Sequence, residues 1–218
     1  MPPKDRFLDP RRAGPEGVVA LSNDLDAETL AAAYARGIFP WPSPGLSAIP
    51  WCCPDPRAVL EFDRLTVPRT VRQEQRKGRF RFTLDAAFAR VIAACARVPR
   101  PGQRSTWITP EMARAYERLH ALGLAHSVEA WEGESLAGGL YGVAVEGVFA
   151  GESMFHLAPN ASKLALLFLV EHLRARGAEW MDIQMLTPHL EALGAREIPR
   201  DDYLGRLAEA QARKLRLF

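Results

Sequence analysis

A chain of 218 residues, 48% of them hydrophobic, can bury a sizeable core, either as one large domain or as a small domain joined to a larger one. Three cysteines, two of them adjacent at Cys52 and Cys53, provide neither a disulfide framework nor a Cys-x-x-Cys metal spacing, which points to a reduced, cytoplasmic protein. The net charge of +2 hides an asymmetry: residues 64–104 carry 11 Arg or Lys against Glu74 and Asp85, a local +9 that fits either a polyanion partner or a solvated basic face.

Residues 1–17 read as a loose arm, too charged and Pro-rich to be a signal peptide. Residues 18–21 suit a short strand. Asp26 can cap a helix to about Arg36, with Leu30, Ala33 and Tyr34 inward and Gly37 as the stop. Prolines at 40, 42, 44, 50, 54 and 56 exclude regular structure from most of the next stretch. Its aromatics, Phe39, Trp41 and Trp51, suit a binding platform or the small core of a loop-rich domain. A strand is expected over residues 57–62. A helix over 67–77 then places Arg69, Arg72 and Arg76 on one face.

A strand over 80–84 leads to a helix that Asp85 can cap, running through Ala96, and then to a basic loop over 97–105. Thr109 as N-cap, Pro110 in the first turn and Gly123 past the end bracket another helix, with Met112, Tyr116 and Leu119 on its inner side. Three strands follow, over 127–132, 136–145 and 148–155, joined by short Gly-containing turns that favour antiparallel hairpins. An apolar helix over 160–176, capped by Asn160 or Ser162 and ended by Gly177, precedes a strand over 180–186. The longest apolar run, residues 164–170, is too short to span a bilayer, so no membrane association is expected. A helical turn over 188–193 and a polar helix over 200–215 complete the chain.

On a strand, side chains two apart share a face, so Asp182 and Gln184 are expected together, opposite Met181, Ile183 and Met185. Polar groups in such apolar company are either satisfied structurally or functional. Strand, strand, strand, helix, strand is the order of a GNAT-like acyltransferase domain. The loop opening the helix, His-Leu-Ala-Pro-Asn-Ala-Ser-Lys, has no glycine to cradle a pyrophosphate, which argues against CoA as donor. No Walker lysine, Rossmann fingerprint or nucleophile elbow is present, and the five histidines show no ligand spacing. His172 reads as solvated or capping, while His189 falls near enough to Gln184 to brace it from behind.

Eight motifs then occur in order: Tyr-Ala-Arg-Gly-Ile-Phe-Pro-Trp from Tyr34, Pro-Asp-Pro-Arg from Pro54, Ser-Thr-Trp-Ile-Thr from Ser105, His-Ser-Val-Glu-Ala-Trp from His126, Gly-Gly-Leu-Tyr-Gly-Val-Ala from Gly138, Gly-Glu-Ser-Met-Phe from Gly151, Asn-Ala-Ser-Lys from Asn160, and Asp-Ile-Gln from Asp182. Through them, over residues 18–207, the chain resembles the bacterial leucyl/phenylalanyl-tRNA–protein transferases.

The resemblance implies an α+β architecture, with a small N-terminal domain (1–61) and a GNAT-like domain (62–218). It implies transfer of Leu or Phe from aminoacyl-tRNA to the N-terminal Arg or Lys of acceptor proteins, which are then degraded, with no cofactor and no metal. It assigns catalysis to Asp182 and Gln184, with Glu152 beside them. It assigns the aminoacyl pocket to Leu140, Phe149, Met154, Leu166, Leu169 and Met181, and the tRNA end to Tyr34, Trp41, Trp107 and Tyr116. Arg69, Arg72, Arg76 and Lys77 are expected on the acceptor-stem phosphates. Cys52, Thr187 and Ala192 depart from the family pattern, where an aromatic, Asn and Ser are common. Two rival classes remain: an acyltransferase with another carrier, and a tRNA-binding module without catalysis.

Overall fold

The computed structural model describes residues 6–43, 45–98 and 106–218. The expectations for residues 1–5, Pro44 and 99–105, the last covering most of the basic loop and Ser105, lie outside that range.

The N-terminal part forms a three-stranded antiparallel sheet in the order β1 (Val18–Leu21), β3 (Pro50–Cys52), β2 (Phe39–Pro40). Helix α1 (Ala27–Tyr34) starts at Asp26, whose carboxylate accepts the Thr29 backbone N–H, and Leu30, Ala33 and Tyr34 are buried as the spacing predicts. Gly37 follows with φ +71, and a Cβ there would strike the Tyr203 ring at 2.5 Å, so the turn needs glycine twice over. The arm is not loose over residues 6–17. Phe7 is buried with its ring 5.2 Å from that of Trp51, and Arg200 donates to the carbonyls of Ala13, Gly14 and Cys53.

The larger sheet has seven strands in the order β10 (Arg196–Ile198), β4 (Arg57–Glu61), β9 (Trp180–Gln184), β8 (Val148–His156), β7 (Ser135–Val145), β6 (Ala125–Glu132), β5 (Arg81–Leu84). Strand β4 lies just before the boundary expected at residue 62, yet it pairs into this sheet. The β6–β7 and β7–β8 hairpins are antiparallel as expected. Helix α5 (Ala161–Arg174) then crosses over, and β9 returns parallel to β8 with Ala150 opposite Asp182. Helix α5 packs close on β7 because Gly138 lacks a side chain: a Cβ there would lie 2.7 Å from that of Ala161. Asn160 occupies the N-cap with φ +65 and makes no side-chain cap, contrary to expectation.

Helix α2 (Arg69–Arg76) leans on α5, α3 (Phe88–Arg97) and α4 (Pro110–Ala121) cover the opposite face, and the one-turn α6 (Pro188–Glu191) follows β9. Asp85 does not cap α3. It sits at φ +57 and accepts from the Ser127 N–H and His126, while Glu129, wholly buried on β6, accepts the Ala86 and Ala87 N–H groups instead. Thr109 caps α4 as expected. Helix α7 (Arg200–Ala212) ends the fold. Glu61 ties it to β10 by accepting from Arg206 and, through both carboxylate oxygens, from Arg196. One buried cluster runs from Phe7, Trp51 and Tyr34 through Tyr116 and Tyr141 to Tyr203, so the small sheet shares a core with the large one.

Candidate active site

Parallel pairing between β8 and β9 is short. Strand β9 ends at Gln184, whereas β8 continues to His156. The unpaired side of β8 opens on a cavity of about 1230 Å³, lined among others by Glu152, Gln184, Trp41 and Trp107. This is larger than the roughly 300–1,000 Å³ usual for a small-molecule pocket, and it suits more than one substrate group at once.

Asp182 and Gln184 do not share a face. Gln184 adopts φ +59, which breaks the strand alternation and turns its side chain to the cavity. Its amide nitrogen donates to Glu152 Oε1 at 2.5 Å, and its own Oε1 has no hydrogen-bond partner among the described residues. Asp182 is buried and faces the other way. Its Oδ1 accepts from Arg57 Nε (2.9 Å) and from the Gln184 backbone N–H (2.9 Å), and its Oδ2 accepts from Arg57 Nη2 (2.6 Å) and Tyr203 Oη (3.0 Å). Asp182 therefore reaches Gln184 through the backbone. The charge beside the Gln184 amide is that of Glu152.

Glu152 Oε2 accepts from Tyr116 Oη at 2.9 Å, and Tyr116 Oη lies 2.6 Å from Tyr34 Oη. Burial pushes the Glu152 carboxyl up to about 7, although hydrogen bonds from Tyr34, Tyr116 and Gln184 favour the ionised form. Burial, and then the Glu152 charge, hold both tyrosines well above the ordinary phenol range, so they stay protonated donors. Burial works against the Arg57 charge, but Asp182 beside it more than compensates and keeps the guanidinium charged.

Of the residues expected at the aminoacyl pocket, Leu140, Met154, Leu166 and Met181 line the cavity. Phe149 and Leu169 sit in the core behind it, Phe149 against Phe218. Trp41 and Trp107 face each other across the cavity wall, ring centroids 5.9 Å apart and planes inclined by 27°. Tyr34 and Tyr116 are buried behind Glu152. Arg69, Arg72 and Arg76 are exposed on α2 and do not line the cavity; Lys77 pairs with Glu74 at 2.9 Å. His189 lines the cavity with a buried Nε2 that has no partner among the described residues, and burial followed by nearby Lys163 keeps its pKa low. Arg57 and Tyr203 were not singled out by sequence. A signal existed for Arg57, a lone cation opening the apolar run Arg-Ala-Val-Leu, while Tyr203 sits in a helix that reads as polar.

The family profile "Leucyl/phenylalanyl-tRNA protein transferase" matches residues 59–208, and that of its N-terminal domain matches 23–55. The chain belongs to this family. It is 53% identical over 210 residues to the leucyl/phenylalanyl-tRNA–protein transferase of Anaeromyxobacter sp. (strain K), covering 96% of this chain and 90% of the relative. It is 50% identical to the enzyme of that name from Nitratidesulfovibrio vulgaris (strain DP4), covering 97% and 90%. Among solved structures it matches a functionally unknown conserved protein from Staphylococcus epidermidis at a TM-score of 0.43 and 9% identity, over 84% of this chain and 68% of that one, too loosely to bear on function. Among the described residues, no helix is long and apolar enough to cross a membrane.

Proposed function

We propose that this family member transfers a leucyl or phenylalanyl group from its tRNA to the N-terminal Arg or Lys of acceptor proteins in the cytoplasm, giving them an N-terminus that directs their degradation. The observation that carries this reading is a single cavity gathering two tryptophans, an apolar wall, and the linked pair Gln184 and Glu152. The fold supports it as a GNAT-like acyltransferase domain, with three antiparallel strands, a crossover helix and a parallel fourth strand, joined to a small N-terminal domain.

The donor is an aminoacyl ester and is already activated, so no ATP is needed. The nucleophile is an α-amine with a pKa of about 8, partly neutral at cytoplasmic pH. Gln184 Oε1 accepts a hydrogen bond from that amine and orients it on the ester carbonyl; as the new C–N bond forms the ester C–O bond breaks, and the proton lost by the amine ends on the departing terminal hydroxyl of the tRNA. An ionised Glu152 on the amide N–H makes the oxygen a better acceptor, because linked hydrogen bonds polarise one another. An amide is a poor base, so orientation contributes more than proton removal. Leu140, Met154, Leu166 and Met181 take the donor side chain. Such a wall suits Leu and Phe and discriminates methyl-sized differences by about 1–3 kcal/mol.

Trp41 and Trp107 stack on the terminal adenosine. To admit the base between them they open from 5.9 Å to about 7 Å, twice the ~3.4 Å spacing of stacked bases. The exposed arginines of α2 track the acceptor-stem phosphates. The test is to incubate the protein with labelled Phe-tRNA and a peptide beginning with Arg. Labelled peptide is expected from charged tRNA and none from phenylalanyl-CoA; the reverse result, or no transfer, would refute the reading.

A further inference from the structure

We infer that Arg57 and Tyr203 are positioning residues for transfer: by gripping the Asp182 carboxylate they fix the backbone of Gln184 in the conformation that aims its amide at Glu152 and the cavity. The inference rests on the function proposed above. A carboxylate offers about four lone-pair positions. Those of Asp182 are taken by Arg57 Nε and Nη2, Tyr203 Oη and the Gln184 N–H, which leaves none for a substrate. The buried Arg57 guanidinium is itself fixed, 4.7 Å from the Phe39 ring centroid and 4.5 Å from that of Tyr203.

Gln184 needs this grip. A residue other than glycine at φ +59 is disfavoured and persists only where its surroundings over-determine it. The Asp182 Oδ1 bond to its N–H supplies that constraint. Released, Gln184 relaxes toward extended backbone, and strand alternation returns its side chain to the Asp182 face, away from Glu152. Arg57 and Tyr203 thus touch no substrate; they act through Asp182 and then through one peptide unit.

Arg57→Met would leave a buried charge unpaired and threaten folding. The informative variants are Tyr203→Phe, which removes one hydroxyl, and Arg57→Lys, which keeps the charge but not the fork. In single-turnover transfer from Phe-tRNA, each is expected to lower the rate about ten- to a hundredfold while affinity for charged tRNA stays constant. A carbon-13 titration of the Glu152 carboxyl reads the geometry without substrate. The groups bonded to Glu152 are Tyr34 on α1, Tyr116 on α4 and Gln184 on β9, and the like charge of Asp182, turned away from it, acts at a distance. Losing the Gln184 bond moves the titration upward, in the same direction as in Gln184→Ala, and the acidic limb of the rate profile follows.

Folded variants with an unmoved titration and the parental rate would overturn the inference. So would activity lost only in proportion to the unfolded fraction seen on melting. If the parent protein itself transfers nothing, the proposed function fails, and the titration still decides the positioning role.

Discussion

Glu152 is where burial and the proposed role conflict. Its carboxyl is raised to about 7, chiefly by burial. The folded state binds this proton more tightly than the unfolded chain does. Its contribution to stability is therefore complete below the ordinary carboxyl value and is lost as pH rises through about 7. Glu152→Gln removes the ionisation. Its melting temperature should exceed that of the parent at pH 8, by the equivalent of about 1–3 kcal/mol, with no such gain at pH 5, while transfer falls at both. Equal shifts at the two pH values would mean that Glu152 does not titrate in the fold. At this scale the sequence singled out Asp182, Gln184 and Glu152 and missed how they are arranged. Asp182 and Gln184 stand two apart in a strand, and alternation places them together. The left-handed turn at Gln184 undoes that, and a positive φ at a non-glycine residue leaves no mark in the sequence. Asp85 resembles a cap for the same reason: its type suits the role, but Glu129 reaches the helix start from a neighbouring strand.

Elements with strong periodicity or clear punctuation were legible. Helix α4 lies between Thr109 and Gly123, and the two hairpins follow their glycine turns. Strand β10 was not legible, because Arg-Glu-Ile has no alternation long enough to read and exists through pairing with β4. Nor was the anchoring of residues 6–17, which depends on Arg200 far along the chain. The Pro-rich stretch after α1 was open between platform and core, and the structure divides it: Trp51 is fully buried in the core, while Trp41 is partly exposed in the cavity wall. Trp41→Ala should therefore weaken binding of charged tRNA by about 1–3 kcal/mol, with little change in melting. Trp51→Ala should instead lower melting strongly, by the equivalent of about 3–5 kcal/mol. Fluorescence titration and thermal melting of the two variants measure this; a Trp41→Ala protein with parental affinity would remove that ring from the tRNA site.

Across the whole molecule, the large sheet supplies the cavity floor, and the small N-terminal sheet brings Trp41 to its wall. The local +9 over residues 64–104 is partly neutralised in the fold by acids from outside that stretch, because Arg79 pairs with Glu132 and Arg64 lies near Glu61. Arg69, Arg72 and Arg76 make no ion pair among the described residues and remain exposed on α2. Replacing these three with Ala should make the slope of log affinity for tRNA against log salt shallower, by roughly 0.7–0.9 for each phosphate that is no longer neutralised. An unchanged slope would make α2 a solvated face only.

The central claim is that Gln184 and Glu152 act as one unit at the cavity. A double-mutant cycle of Gln184→Ala and Glu152→Gln, read as single-turnover transfer from Phe-tRNA to an Arg-starting peptide, tests it most directly. Residues acting as a unit are strongly non-additive. Each single change should slow transfer about a hundredfold or more with tRNA binding retained, and the double variant should be little slower than the slower single. Losses that multiply in the double variant, or either single variant running at the parental rate, would contradict the account.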